Sequence, residues 1–146
     1  LVVFPIDDAV LPTEDKPLVG VLHPGFYKLN KGTPETNPKS TACILPSEPR
    51  LGYICGGHQG GLTPLYIDMC QTISEHIDTD DNNHITAIFH DESHVNRYYV
   101  SHQSEFKLLA PSYMFPEGWN QRTNLQGLTP KILALNKDHR KVRSDP

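Results

Sequence analysis

Asp91 and Glu92 are adjacent carboxylates flanked by His90 and His94, and they directly follow the apolar run from Ile85 to Phe89. Desolvating neighbouring negative charges is costly unless something uses them, so this pair is the first candidate for chemistry. His90 and His94 are four residues apart and share a face if the segment is helical. A zincin needs Glu immediately after the first His, and an inverzincin needs Glu immediately before the second. Asp91 and Ser93 occupy those positions, so ordinary hydrogen-bonded histidines are expected. Asp78, Asp80 and Asn82 imitate the opening of a calcium loop. Asn83 stands where the glycine is required and Phe89 where the closing glutamate is, so that pattern fails. Gly56-Gly57 followed by Gly60-Gly61 lacks the lysine and the third glycine of the phosphate-binding spacings. Two readings of these glycines remain. They form a tight strand-to-helix turn, or their missing side chains make room for a bulky ligand beside main-chain amides.

Short elements must position these residues. Leu1 to Phe4 and Leu18 to Leu22 read as buried strands, and Phe106 to Leu109 as another, closed by Ala110-Pro111. The clearest helix runs from Thr63 to Ile77, with Thr63 as N-cap and Pro64 at the first helical position. Tyr66, Met69, Cys70, Ile73 and Ile77 then fall on one face. Asp78 to Asn83 reads as a polar turn ending that helix. A second helix starts near Asp91 and packs through Val95, Tyr98 and Tyr99. Asn30 to Lys39 reads as a long exposed loop rich in turn residues. The expected fold class is α/β: a small mixed sheet with both helices packed against it and one edge bare or covered by a partner.

Composition narrows the class. A chain of 146 residues with 37% hydrophobic content suits one domain with a modest core. The mean hydropathy is −0.45, and no apolar run approaches the ~20 residues a membrane helix needs. A net charge of −4 argues against a general nucleic-acid binder. The 3 cysteines, at 43, 55 and 70, imply neither a disulfide framework nor a zinc knuckle. Reduced thiols, with no signal peptide or membrane segment in this chain, favour a cytoplasmic location. Proline is 13 of 146 residues, above the usual share of about 5%, and is concentrated in the first third as a loop-rich face. The chain opens on an apolar strand with no initiator Met, which suggests that something precedes it.

The words His23-Pro24-Gly25-Phe26-Tyr27, Gly56-Gly57-His58-Gln59-Gly60-Gly61 and Phe89-His90-Asp91-Glu92-Ser93-His94, in this order, resemble glycosyltransferase family 6. That is the family of the blood-group A and B transferases and the α-1,3-galactosyltransferases. The resemblance covers nearly the whole chain, and Pro116-Glu117-Gly118-Trp119 is closer to bacterial members. It implies the C-terminal half of a GT-A fold, whose N-terminal nucleotide-binding half lies outside this chain. The implied activity moves N-acetylgalactosamine or galactose from a UDP-sugar to a galactoside acceptor, retaining the anomeric configuration. By this resemblance Glu92 is the catalytic carboxylate, as nucleophile or as stabiliser of an oxocarbenium-like ion. Cys55, Gly56, Gly57 and Asp91 bind the donor sugar, and Lys137 and Arg143 neutralise the diphosphate. His23, Thr33 and Phe89 contact the acceptor. From Lys131 to Pro146 there are 5 Lys or Arg and 2 Asp, which suits a diphosphate partner.

The family's metal motif lies upstream of His-Pro-Gly-Phe-Tyr, so Asp78-Thr79-Asp80, despite its Asp-x-Asp spelling, is expected to be a solvated turn. Within this chain the resemblance implies no cofactor and no metal ligand; manganese enters if an Asp-x-Asp lies upstream of Leu1. Departures also stand out. The family's Thr-Tyr-Glu-Arg-Arg is here Thr33-Pro34-Glu35-Thr36-Asn37, and its paired tyrosines become Tyr53-Ile54. Two alternatives stay open: a degenerate sugar-binding module without turnover, and a metal-dependent hydrolase using His90, Asp91 and His94.

Overall fold

The structure, a computed structural model, describes residues 2–29 and 32–137. In chain order the strands are β1 (Val2–Val3), β2 (Leu18–Leu22), β3 (Ile54–Gly61), β4 (Phe106–Leu109), β5 (Phe115–Pro116) and β6 (Ile132–Ala134). The helices are α1 (Thr63–Asn82) and α2 (His90–Ser101). β2, with the sequence Leu-Val-Gly-Val-Leu, is the centre of a mixed sheet in the order β3-β2-β4. It runs antiparallel to β3 and parallel to β4. Consecutive strand residues face opposite sides, and Leu18 and Val21 are both fully buried, so β2 is covered on both faces. A second mixed sheet has the order β1-β6-β5.

α1 and α2 close one face of the first sheet. Met69 and Ile73 on α1, and Val95 and Tyr99 on α2, are i, i+4 pairs that meet Leu18, Ile54 and Phe106 in one core cluster. Tyr99 and Phe106 meet edge to face at 5.3 Å. Burying each of these large apolar side chains contributes about 1.5–3 kcal/mol. The mixed α/β class, the two helices, and the strands at Leu18–Leu22 and Phe106–Leu109 follow the apolar periodicity of the sequence.

Elsewhere the structure differs from the sequence-based expectation. β1 is an exposed strand, with Val2 at 41% and Val3 at 60% of full exposure; Leu1 lies outside the described residues. α1 begins at Thr63 as expected, but its N-cap is Leu62 and not Thr63, and it continues to Asn82 instead of ending at Ile77. Cys70 and Ile77, expected on its packed face, are exposed. The glycine block is not a tight turn but most of an eight-residue strand, β3. Glycine is a poor strand former, and pairing with β2, from Leu18↔Gly61 to Leu22↔Ile54, holds it extended.

Met69 is about 1% exposed at the centre of the helix–sheet contact. Met69→Ala should cost about 2–5 kcal/mol, read as a lower denaturant midpoint at unchanged slope.

Candidate active site

The chain enters α2 through a turn, not a strand, and His90 carries it round with a φ of 49°. That left-handed conformation is disfavoured for a residue with a Cβ and costs about 1–3 kcal/mol. Phe89, at 41% exposure, and Asp91 are exposed at this corner. Phe89 is therefore outside the core. Glu92, one residue further, is half-buried and turned toward β3. Its Oε2 accepts from the Gly56 N–H at 2.8 Å, and its Oε1 accepts from the Tyr53 hydroxyl at 3.0 Å. A Cβ on Gly56 would lie 2.8 Å from the Glu92 Cβ and 3.1 Å from its Cα. Only a residue without a side chain allows this approach.

Tyr53 joins the carboxylate to an aromatic corner. The Phe26 and His23 rings lie 5.5 Å and 5.8 Å from the Tyr53 ring. These residues, with Leu22, Tyr27, Lys28, Leu51 and Gly52, line a cavity of about 310 Å³. Burial raises the Tyr53 phenol well above its ordinary range, so it stays protonated and donates to Glu92. The Thr33 carbonyl is a longer second acceptor at 3.4 Å. His23 Nδ1 accepts from the Gly25 N–H at 3.1 Å, which leaves the proton of the neutral ring on Nε2. Burial lowers the pKa of His23, and the negative charge of Glu92 offsets part of that fall. Asn124 Nδ2 donates to the Pro24 carbonyl at 2.8 Å and ties this corner to the segment after β5.

Two buried carboxylates shape the loop that carries Thr33. Glu35 accepts from the N–H groups of Thr36 and Asn37, and from Ile88 N–H at 2.7 Å, which pins the loop to the turn before α2. The first part of the loop is thus less exposed than expected, with Glu35 at 7%, while 36–39 are exposed; Asn30 and Lys31 lie outside the described residues. Asp80, expected in a solvated turn, is instead 2% exposed inside α1. It accepts from the Ser40 hydroxyl and from Thr41 N–H, and lies 3.8 Å from His94 Nε2. This tertiary anchor explains why α1 continues beyond Ile77 through a polar stretch. Burial raises both carboxyls, but the hydrogen bonds outweigh it and each ends below its ordinary value.

Glu92, Gly56, His23 and Thr33 are thus gathered around Tyr53, a residue that sequence reasoning noted without assigning a role. Its signal was its position just ahead of the glycine block. Cys55 is buried, and burial, reinforced by the charge of Glu92, pushes its thiol up to about 12. All three cysteines are free. Gly57 is exposed on β3, where an added Cβ would meet only the Met114 Cε at 3.4 Å. Lys137 is exposed three residues beyond β6, and Arg143 lies outside the described residues. Among the described residues, no group of three or more His, Cys, Asp or Glu side chains is arranged to hold a metal ion. No described helix is long and apolar enough to cross a membrane.

Comparison with known proteins fits this arrangement into a class. The family model described as "Glycosyltransferase family 6" matches residues 6–144. The chain is 33% identical over 132 residues to histo-blood group ABO system transferase 1 of Rattus norvegicus, covering 87% of this chain and 36% of that relative. It is 29% identical over 133 residues to globoside alpha-1,3-N-acetylgalactosaminyltransferase 1 of Gallus gallus, covering 87% of this chain and 36% of that relative. It is 28% identical over 122 residues to the O-antigen biosynthesis glycosyltransferase WbnI of Escherichia coli, covering 83% of this chain and 49% of that relative. The chain belongs to glycosyltransferase family 6. It spans 36% of the length of the rat and chicken relatives.

The buried ionisable groups set an acid sensitivity. Burial lowers His94 from 6.5, with Asp80 opposing, while Glu35 and Asp80 sit below 4.5 and 3.8. In each case the unfolded chain binds protons more readily, so stability is greatest above the unfolded value and falls as pH falls through the folded one. Melting temperature should therefore begin to decline as pH drops below about 6.5 and fall more steeply below about 4.5. Glu35→Gln should flatten part of the lower limb; an unchanged limb would remove Glu35 from this account.

Proposed function

We propose that the protein is a retaining α-1,3-glycosyltransferase that moves N-acetylgalactosamine, with galactose as the alternative donor sugar, from a UDP-sugar to a galactoside acceptor. The observation that carries this reading is Glu92, a carboxylate held by two donors beside an aromatic cavity. In such a transfer the bond between C1 of the sugar and the diphosphate oxygen breaks, and its electron pair leaves with UDP. Positive charge builds on the ring, and Glu92 faces it from the side opposite the leaving group. The acceptor oxygen then bonds to C1 on the side the diphosphate left, and its proton passes to the departing diphosphate oxygen.

Each residue gathered here has work to do in that step. Gly56 N–H and the Tyr53 hydroxyl fix both carboxylate oxygens, so Glu92 needs little reorganisation as charge develops. His23, with its Nε2–H free to donate, and the aromatic walls suit a galactoside, whose apolar face packs on rings. Thr33 and Phe89 extend that acceptor surface. Asp91, exposed beside Glu92, and Cys55, Gly56 and Gly57 on β3 form the donor-sugar side, with Lys137 and Arg143 neutralising the diphosphate. The unit is of GT-A type, with the uridine-binding half outside this chain. A manganese ion on an Asp-x-Asp would carry diphosphate charge in such a unit. The described residues offer no cluster that fits one, and the step above is derived without it.

Glu92→Gln tests the central claim in the intact protein. Turnover should fall by orders of magnitude while UDP affinity is nearly unchanged, because the lost charge matters to the sugar cation and not to the nucleotide. Near-normal transfer by the variant would remove Glu92 from the role. Wild-type binding of UDP-sugar without transfer or hydrolysis would instead favour a non-catalytic sugar-binding module.

Donor choice follows from Gly57. The missing side chain of Gly57, whose only near neighbour would be the flexible end of Met114, leaves room for an N-acetyl group, so the wild type should favour UDP-N-acetylgalactosamine over UDP-galactose. Gly57→Ala is accommodated by Met114 and should shift the ratio of kcat/KM toward UDP-galactose by about 1–3 kcal/mol. A clear galactose preference in the wild type would defeat the donor assignment.

A further inference from the structure

Asn96 follows Glu92 by one helical turn and is 1% exposed. Its Nδ2 donates to the main-chain oxygen of Ile54 at 2.9 Å and to that of Glu92 at 2.9 Å. Its Oδ1 accepts from Ile54 N–H at 3.0 Å. One side-chain amide thus satisfies both main-chain groups that β3 presents at Ile54, as a neighbouring strand would. Two residues along, the same strand presents Gly56 N–H, and Glu92 Oε2 takes it. The edge of β3 is therefore covered by a helix through two side-chain rungs, Asn96 at Ile54 and Glu92 at Gly56.

The rungs are mechanically linked. The Asn96 rung fixes the height of α2 along β3, and the missing Cβ of Gly56 fixes its distance. Asn96 holds the main-chain oxygen of Glu92 and Gly56 N–H holds its carboxylate, so the direction of the carboxylate is set by the contact of α2 with β3. We propose that Asn96 is a positioning residue for the Glu92 carboxylate, and that Gly56 serves the same end by permitting the close approach of α2. This rests on the reading of Glu92 as the catalytic carboxylate. Buried side chains that touch no ligand affect catalysis through such placement, and a displacement near 1 Å costs about 100-fold in rate.

The experiment is a double-mutant cycle on the intact protein, following UDP release from UDP-N-acetylgalactosamine with lactose as acceptor. Asn96→Ala should lower kcat by about 100-fold and leave both KM values within about threefold. In a Glu92→Gln background the same change should cost less than about threefold further, because the group it positions is gone. Gly56→Ala should lower kcat likewise and cost far less in the Glu92→Gln background, and it carries the test if Asn96→Ala fails to give the wild-type circular dichroism spectrum. Equal losses in the wild-type and Glu92→Gln backgrounds, or an unchanged kcat in either folded variant, would overturn the proposal. A Glu92→Gln protein with near-normal turnover would overturn the underlying reading of the site instead.

Discussion

The approach of α2 to the edge of β3 at Gly56 is the constraint from which the rest of the site follows. A helix and a strand edge ordinarily meet through side chains, with the unpaired main-chain groups of the edge left to water or to another strand. Here the helix comes close enough for Glu92 and Asn96 to bond those groups directly. This requires glycine at 56, and it requires that the helix be pressed inward. Val95 and Tyr99 supply that pressure by burial against Leu18, Ile54 and Phe106. The polar seam and the apolar core are two faces of one contact, and weakening either would loosen the other.

A second constraint acts on the entrance to α2. The left-handed backbone at His90 is tolerable only where the surroundings hold it in place. Glu35 does so from the far side, taking the Ile88 N–H while its other oxygen organises Thr36 and Asn37. The Thr33 loop and the start of α2 are therefore tied together through one side chain. Asp80 extends the same tie to α1 through Ser40 and Thr41. The loop, the start of α2 and α1 are thus connected by two buried carboxylates, Glu35 and Asp80.

How much of this was legible in the sequence depends on the kind of interaction. β2, β4 and both helices were visible because apolar periodicity is a local signal, and Glu92 was visible because a paired carboxylate after an apolar run is unusual. The strand made by the glycine block was not, since its extended conformation comes from pairing with β2, between 32 (Leu22↔Ile54) and 43 (Leu18↔Gly61) residues away in sequence. Asp80 looked solvated because nothing near it in sequence reveals that Ser40 and Thr41 fold back onto it. The exposed side chains of β1 run the other way: four apolar residues read as core, yet exposure depends on what lies above the strand. Local chemistry was readable, whereas the satisfaction of buried polar groups at long range was not.

The departures from the family's pattern can now be placed physically. Where the family has Thr-Tyr-Glu-Arg-Arg, this chain keeps the glutamate, Glu35, which is buried and accepts three main-chain N–H groups. The two positions that lose arginine, Thr36 and Asn37, are exposed. Their contribution to Glu35 is through main-chain N–H groups that any residue but proline supplies. The loop's path is therefore indifferent to those substitutions, while the charge and reach of its outer surface are not. Tyr53-Ile54 divides in the same way: Tyr53 keeps the phenol that holds Glu92, and Ile54 puts an apolar side chain into the core. The changes thus spare the groups that hold the Glu92 carboxylate: those at Thr36 and Asn37 fall on the exposed surface of the loop and that at Ile54 falls in the core, so none of them removes a donor to Glu92.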